Sequence, residues 1–261
     1  DRCRTVGEFL DVAKGWGPRD PRPACNPQPG RQTSGMRHAF IFDVFGTCVD
    51  WRTSVAREVA RHVSGVDALA FATAWRGEYD PAMERIRTGG RGYVDLDALH
   101  LENLERTATK FGVTLSDPKA LNRAWERLDP WEDVVPGLEA LRKDALIAPC
   151  SNGSIAMMTR LARYARFPWD CILGAGVARD YKPKPEVYLA SVAALRLEPK
   201  DVCMVAAHNS DLAAARALGL KTAFVPRPRE HGEGQTTDLA PSEAWDWVAK
   251  DFDDLAVQVA R

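Results

Sequence analysis

The run Phe40-Ile41-Phe42-Asp43-Val44-Phe45-Gly46-Thr47 is apolar up to one carboxylate and then turns at once through Gly-Thr. A buried strand presents an aspartate in this way at its C-terminal end, where α/β sheets place their ligands. Three later segments carry polar groups at comparable places. Leu146-Ile147-Ala148-Pro149-Cys150-Ser151-Asn152-Gly153 reads as a strand ending in a polar turn, and Tyr181-Lys182-Pro183 puts a lysine on a loop. Val202-Cys203-Met204-Val205-Ala206 reads as another buried strand, running through Ala207, His208, Asn209 and Ser210 to Asp211. One position is informative for what it lacks. A phosphate-transferring site of this shape carries a second carboxylate two residues after the first, to protonate the leaving oxygen. Here that position is Phe45, which can neither give nor take a proton.

Asp, Ser, Lys and Asp, in that order and at the ends of successive strands, resemble the haloacid dehalogenase superfamily. D-x-F-G-T without the second Asp resembles its (S)-2-haloacid dehalogenase (type II) branch. The resemblance covers about residues 37–230. It implies that Asp43 is a nucleophile that attacks C2 of a short halocarboxylate, expels halide and forms an ester. Water then attacks the carboxyl carbon of that ester and releases a 2-hydroxy acid inverted at C2. The Tyr-Lys-Pro match favours Lys182 over Lys184 as the cation that keeps Asp43 ionised. Thr47 and Ser151 are expected to hydrogen-bond the Asp43 carboxylate or the substrate carboxylate. Asn152 is expected to line the pocket, with its backbone N–H available to an oxyanion. Asp211 is expected to orient or deprotonate the hydrolytic water, and it also suits the N-cap of the helix that follows. Arg76, in Ala74-Trp75-Arg76 on a cap helix, is expected to meet the carboxylate or the departing halide. Tyr188, six residues after Lys182, is either the tyrosine that this branch carries near the lysine or a core aromatic on a helix face.

The leaving group explains Phe45. A halide leaves as a stable anion without a proton, whereas an alkoxide leaving phosphate benefits from an acid. Phe45 therefore suits carbon–halogen cleavage and offers an apolar wall to the halogen and alkyl group. The fourth motif agrees. Superfamily phosphatases resemble G-D-S-x-x-D there, with the first Asp helping to hold Mg²⁺, and Ala207 occupies that position here. Mg²⁺ demands hard oxygen ligands in near-octahedral geometry, so no metal and no cofactor are expected. The dehalogenase version resembles S-S-N-x-x-D. Ala206 replaces its first Ser and His208 its Asn, which makes His208 either the base for ester hydrolysis or a hydrogen-bond partner of Asp211 or Asp43. Attack by Asp43 on another 2-substituted carboxylate, such as the strained ring of azetidine-2-carboxylate, is the runner-up. A phosphatase is disfavoured by Phe45 and Ala207. A non-catalytic binding module is disfavoured by the full set of Asp43, Thr47, Ser151, Lys182 and Asp211, which a fold alone does not require.

The elements that must position these residues fall into two patterns. From Thr53 to about Leu128 the spacing is helical, with segments at Val55–Val63, Asp67–Arg87, Asp95–Phe111 and Asp117–Leu128. Asp95 and Asp117 sit at candidate N-termini, and Pro118 suits a first turn. From Gly137 onward strands and helices alternate, with the last helical segments at Ser242–Val259. Such alternation predicts a parallel sheet with helices on both faces. The expected fold is α/β, a doubly wound Rossmann-like parallel sheet with an inserted helical cap. Residues 37–51 and 130–261 are expected to form the core and residues 52–129 the cap. Residues 1–36, rich in Pro, Gly and charge, are expected to be a disordered extension or a start-site artefact, with Met36 as a candidate start and a short helix possible at Val6–Lys14.

Composition sets the outer bounds. The chain of 261 residues, 45% of them hydrophobic, can bury one substantial core or two modest ones. A formal net charge of −1 gives no global attraction to nucleic acid or to an anionic membrane. No apolar run approaches the roughly 20 residues needed to span a bilayer. Cysteines at 3, 25, 48, 150, 171 and 203 lack metal-ligand spacing, and Cys48, Cys150 and Cys203 lie in or beside apolar runs. They are expected to be reduced core thiols in a reducing cytoplasm. The resemblance further implies a homodimer.

Overall fold

The computed structural model describes residues 38–88 and 90–260. The expectations for residues 1–36, including a helix at Val6–Lys14, lie outside them. The strands are β1 (Ala39–Phe42), β2 (Val49–Asp50), β3 (Asp129–Pro130), β4 (Leu146–Ser151), β5 (Leu173–Gly174), β6 (Val202–Ala206), β7 (Lys221–Phe224) and β8 (Trp247–Val248). Six of them form one parallel sheet in the order β5-β4-β1-β6-β7-β8. β1 is central, pairing Phe42 with Pro149 on one side and with Val205 on the other. β2 and β3 form a separate antiparallel ribbon, with Asp50 opposite Asp129.

The chain leaves the sheet after β1 and returns at β4, and a helical insert occupies the interval. It comprises α1 (Trp51–His62), α2 (Ala68–Gly77), α3 (Tyr79–Thr88), α4 (Leu96–Phe111) and α5 (Pro118–Asn122), the last followed by a 3-10 turn at Arg123–Glu126. The remaining helices are α6 (Val134–Leu141), α7 (Ile155–Ala165), α8 (Ala175–Ala178), α9 (Pro185–Ala194), α10 (Asn209–Arg216) and α11 (Phe252–Val259). The sheet is buried on both faces. Phe40, Phe42, Cys203 and Val205 join a core with Leu138 and Leu141 of α6, Leu161 of α7 and Phe252 of α11. Ala39, Ile41, Val202 and Met204 join a second core with Val187 and Tyr188 of α9 and Leu212 of α10. Successive residues of a strand face opposite ways, so unbroken apolar runs such as Ala39–Phe42 supply both cores. This is the doubly wound α/β fold with a helical insert that the alternation predicted.

Several boundaries differ from the sequence reading. The single helix read at Asp67–Arg87 is two, α2 and α3, broken at Glu78, whose N–H bonds back to the carbonyls of Trp75 and Arg76. Pro81 has no N–H and cannot continue the ladder of α2. The segment read as a helix to Leu128 ends as an α-helix at Asn122. Asp117 caps α5 through the N–H of Ala120, but Asp95 makes no side-chain cap bond. The closing segment read as helical begins with β8, which pairs with β7 before α11 starts. Two residues are too few for period-two alternation to show.

Candidate active site

The C-terminal ends of β1, β4 and β6 lie side by side at the centre of the sheet, the place where a doubly wound sheet leaves a crevice. Asp43 follows β1 directly, and its N–H still bonds Val205 O at 3.0 Å. Its carboxylate has three partners. Thr47 Oγ1 donates to Oδ2 at 2.6 Å, Lys182 Nζ donates to Oδ1 at 2.9 Å, and His208 Nδ1 lies 3.1 Å from Oδ2. Burial pushes the Asp43 carboxyl upward, but the Lys182 ammonium and the hydrogen bond and charge of His208 outweigh it and hold it far below the usual carboxylate range. Thr47 is itself fixed from both ends. Its Oγ1 accepts the N–H of Ala207 at 2.9 Å, and its carbonyl accepts from Arg227 Nε at 2.8 Å.

Lys182 reaches the site from the loop between α8 and α9 and bridges two carboxylates, donating to Asp211 Oδ2 as well as to Asp43. Burial works against its charge, but Asp211 and Asp43 more than offset it, so the amine is held well above its usual pKa. Asn152 holds this loop, its Oδ1 accepting the Lys182 N–H at 2.7 Å and its Nδ2 donating to Tyr79 Oη at 2.6 Å. Ser151, at the end of β4, is 1% exposed and accepts the Gly153 N–H at 3.1 Å. It does not share Thr47's bond to Asp43. The close approach of β5 to this turn needs Gly174, where a Cβ would fall 2.3 Å from the Ser151 carbonyl oxygen.

Asp211 is not the N-cap of its helix. α10 begins at Asn209 with His208 in the cap position, and Asp211 sits in the first turn with its carboxylate turned to Lys182 and to the hydroxyl of Tyr188. Tyr188 is fully buried in the second core, and its hydroxyl donates to Asp211. His208 contacts Asp43 and not Asp211. Its far nitrogen, Nε2, lies 2.9 Å from Glu230 Oε2. Burial opposes a charged imidazole, but the hydrogen bonds to Asp43 and Glu230 outweigh it and hold the ring well above its usual pKa.

On the insert side, Phe45 is buried and packs edge-on to Trp125 at 5.7 Å and to His100 at 6.4 Å between ring centroids. Arg76 lies over the Tyr79 ring at 4.0 Å. Because Tyr79 also accepts from Asn152, Arg76 is linked to the Lys182 loop through two side chains, Tyr79 and Asn152. Three residues of this cluster escaped the sequence reading. Tyr79 and His100 carried no motif. Glu230 sits in a polar stretch that reads as loop, yet is 2% exposed. No spacing signal marks it, because its role depends on a contact 22 residues back in the chain. Cys48, Cys150 and Cys203 are free and buried, as expected of core thiols.

In chemical terms the cluster offers an ionised carboxylate held by a lysine, a hydroxyl and an imidazole, faced by an aromatic wall and carrying no acid where Phe45 stands. The chain as a whole is similar to known proteins. A haloacid dehalogenase-like hydrolase family model matches residues 38–219. The structure of the defluorinating L-2-haloacid dehalogenase Rha0230 is 46% identical, with a TM-score of 0.83 over 86% of this chain and 95% of that one. That of the L-2-haloacid dehalogenase PA0810 is 44% identical, with a TM-score of 0.82 over 85% of this chain and 98% of that one. The (S)-2-haloacid dehalogenase 4A of Burkholderia cepacia is 27% identical over 81% of this chain and 95% of its own length. The chain therefore belongs to the haloacid dehalogenase-like hydrolases, within their L-2-haloacid dehalogenase branch.

Proposed function

We propose that this protein hydrolyses short (S)-2-haloacids to (R)-2-hydroxy acids through an ester on Asp43. The observation that carries this reading is a buried Asp43 in contact with Lys182 and His208, whose following turn carries Phe45, not an acid, two residues on. A carboxylate kept ionised by Lys182 is a nucleophile ready to attack C2. Attack from behind expels halide and inverts C2, and Phe45 gives the apolar halogen a wall while no proton is required. Arg76 pairs with the substrate carboxylate or the departing halide. The Ser151 hydroxyl, whose oxygen accepts from Gly153, still has its proton to donate to the substrate carboxylate, and Asn152 keeps Lys182 in place. Asp211, with Tyr188, holds the other side of Lys182. Water opens the ester at the Asp43 carboxyl carbon, with His208 and Asp211 as the groups within reach of that step.

The donor set supports a metal-independent reaction. The two carboxylates that could hold Mg²⁺ are already bridged by the Lys182 ammonium, and Ala207 contributes no side-chain oxygen where a third carboxylate is needed. We assign residues 52–129 as the cap, with the core in residues 37–51 and 130–261. The β2–β3 ribbon, pairing Asp50 with Asp129, supports hinge points at those boundaries. Membership of the branch favours a homodimer, and exposed Leu69 on α2 and Leu189 on α9 offer apolar contacts for one. Among the described residues no helix is long and apolar enough to cross a membrane. The free thiols suit a reducing cytoplasm.

The test is release of halide and 2-hydroxy acid from (S)- and (R)-2-chloropropionate in excess EDTA, beside Asp43→Asn. Turnover of the (S) form alone, lost in the variant, is the expected result. Absence of halide from folded wild-type protein would end the reading.

A further inference from the structure

His208 stands between two acceptors that have no proton of their own. Asp43 Oδ2 lies 3.1 Å from Nδ1 and Glu230 Oε2 lies 2.9 Å from Nε2. A neutral imidazole donates from only one nitrogen. Facing ionised carboxylates on both sides, the ring must carry both protons, so in the resting enzyme it is an acid and not a base. Glu230 is the fixed side of this arrangement. It is buried, its Oε1 accepts the indole N–H of Trp51 at 3.1 Å, and its carboxylate lies against Gly46. Gly46 has a φ of +88°, and a Cβ there would fall 2.1 Å from Glu230 Oε1. The glycine beside the nucleophile thus leaves room for this second carboxylate.

We propose that Glu230 is a positioning residue that commits His208 to the hydrolytic half of the reaction, and that alkylation of Asp43 is what frees His208 to act. The inference rests on the dehalogenase reading. When Asp43 bonds to C2 and halide departs with its electron pair, the carboxylate becomes a neutral ester and Nδ1–H loses its anionic partner. Nε2–H keeps Glu230. The Nδ1 proton then passes to solvent, which is the one proton that net hydrolysis of a haloacid releases. The exposed Nδ1 lone pair faces the ester and takes a proton from water as the hydroxide oxygen bonds to the Asp43 carboxyl carbon. The tetrahedral intermediate collapses by breaking its bond to the substrate oxygen. That oxygen takes the remaining proton of the added hydroxyl and leaves as the 2-hydroxy acid. Asp43 is again a carboxylate and His208 again an imidazolium. Asp211 is less suited to this step, because both of its oxygens are occupied by Lys182 and Tyr188.

The charged groups around His208 are Asp43 and Glu230 in contact, Lys182 and Asp211 beyond Asp43, His231 with Nε2 3.6 Å from Glu230, and Asp238, which binds the N–H of Asn209. Of these, only Glu230 touches the far side of the ring. The experiment is rapid-quench turnover of (S)-2-chloropropionate by wild type, Glu230→Gln and Trp51→Phe across pH, with intact-protein mass spectrometry. In Glu230→Gln a chloride burst of one per site is expected to persist. Steady-state turnover is expected to fall about 100-fold, the scale of a general base, and protein carrying the substrate less its halogen is expected to accumulate. Removing the anion lowers the imidazole pKa of the ester form, so the acid limb of ester hydrolysis moves to lower pH. Trp51→Phe, which keeps the carboxylate but frees one oxygen, is expected to slow ester hydrolysis only weakly and not to move the acid limb to lower pH. Unchanged steady-state turnover in Glu230→Gln, or slowing with no movement of the acid limb, would overturn the proposal while leaving the dehalogenase reading intact. Absence of chloride from wild type would remove both.

Discussion

Lys182 Nζ lies 2.9 Å from Asp43 Oδ1 although 139 residues separate the two in the chain. The same ammonium pairs with Asp211, so one buried cation serves two buried carboxylates. This bridge ties the loop after α8 to the ends of β1 and β6. It also explains how a carboxylate with almost no access to water stays ionised.

Lys182→Met should therefore cost activity and stability together. Two carboxylates would be left buried without their cation, and breaking such a pair costs roughly 3–5 kcal/mol. The Asp43 pKa would rise as its first opposing charge disappears, and nucleophilicity at neutral pH would fall. We expect halide release at least about 100-fold slower, equivalent to about 2.7 kcal/mol in the barrier, and a lower midpoint in urea. A variant with wild-type chloride release would show that Lys182 does not control Asp43.

Phe45→Asp is the substitution that superficially restores a phosphatase motif. Here the new carboxylate would lie among Trp125 and His100, with the Asp43 carboxylate two residues away. Burying an unpaired charge or polar group is expensive, so we expect a loss of stability of about 3 kcal/mol or more. Dehalogenation should collapse, and Mg²⁺-dependent hydrolysis of p-nitrophenyl phosphate should not emerge, because Ala207 still offers no ligand. Appearance of that activity would mean the acid alone separates the two chemistries.

Much of this was legible in the sequence because it depends on strand ends. Asp43, Ser151 and Asp211 each follow an apolar run, and a parallel sheet gathers such ends without further information. Lys182 was legible only through its Tyr-Lys-Pro context and its order in the chain. Glu230, Tyr79 and His100 were not, because they reach the site by side-chain contacts between elements whose relative placement no local pattern encodes. The break at Glu78 and the short strand β8 were lost for a related reason. Each is one or two residues long, below the length at which periodicity separates helix from strand.

Arg76 tests the insert's part in recognition. Its guanidinium rests on the Tyr79 ring, and the Tyr79 hydroxyl accepts from Asn152. A lysine keeps the charge but loses the flat, forked donor set and the stacking surface. We expect Arg76→Lys to lower kcat/KM for (S)-2-chloropropionate by about 10- to 100-fold, the range of about 1.4 to 2.7 kcal/mol of lost transition-state binding. Tyr79→Phe keeps the ring and removes only the bond to Asn152, and should cost less. Equal kinetics for wild type and Arg76→Lys would remove Arg76 from substrate recognition.

His208 also makes a prediction that needs no substrate. Its folded pKa is raised well above the usual imidazole value by Asp43 and Glu230, against the opposing effect of burial. A group with a raised folded pKa contributes its full stabilisation below the unfolded value, about pH 6.5, and loses it as pH rises toward and through the folded value. His208→Gln cannot titrate in this window. The difference in melting temperature between wild type and His208→Gln should thus be largest and flat in mildly acidic buffer and shrink steadily above neutrality. Asp43 works in the opposite sense, since its depressed pKa supplies stability above about pH 3.9 that is lost only in strong acid. The two effects therefore separate along the pH axis, and thermal melts between about pH 5 and pH 9, roughly the window between the carboxylate and lysine ranges, report on His208 with Asp43 ionised throughout. A melting difference that stayed constant across that window, or that grew with pH, would mean the His208 pKa is not raised in the folded protein, and the requirement for two protons on the ring would be lost with it.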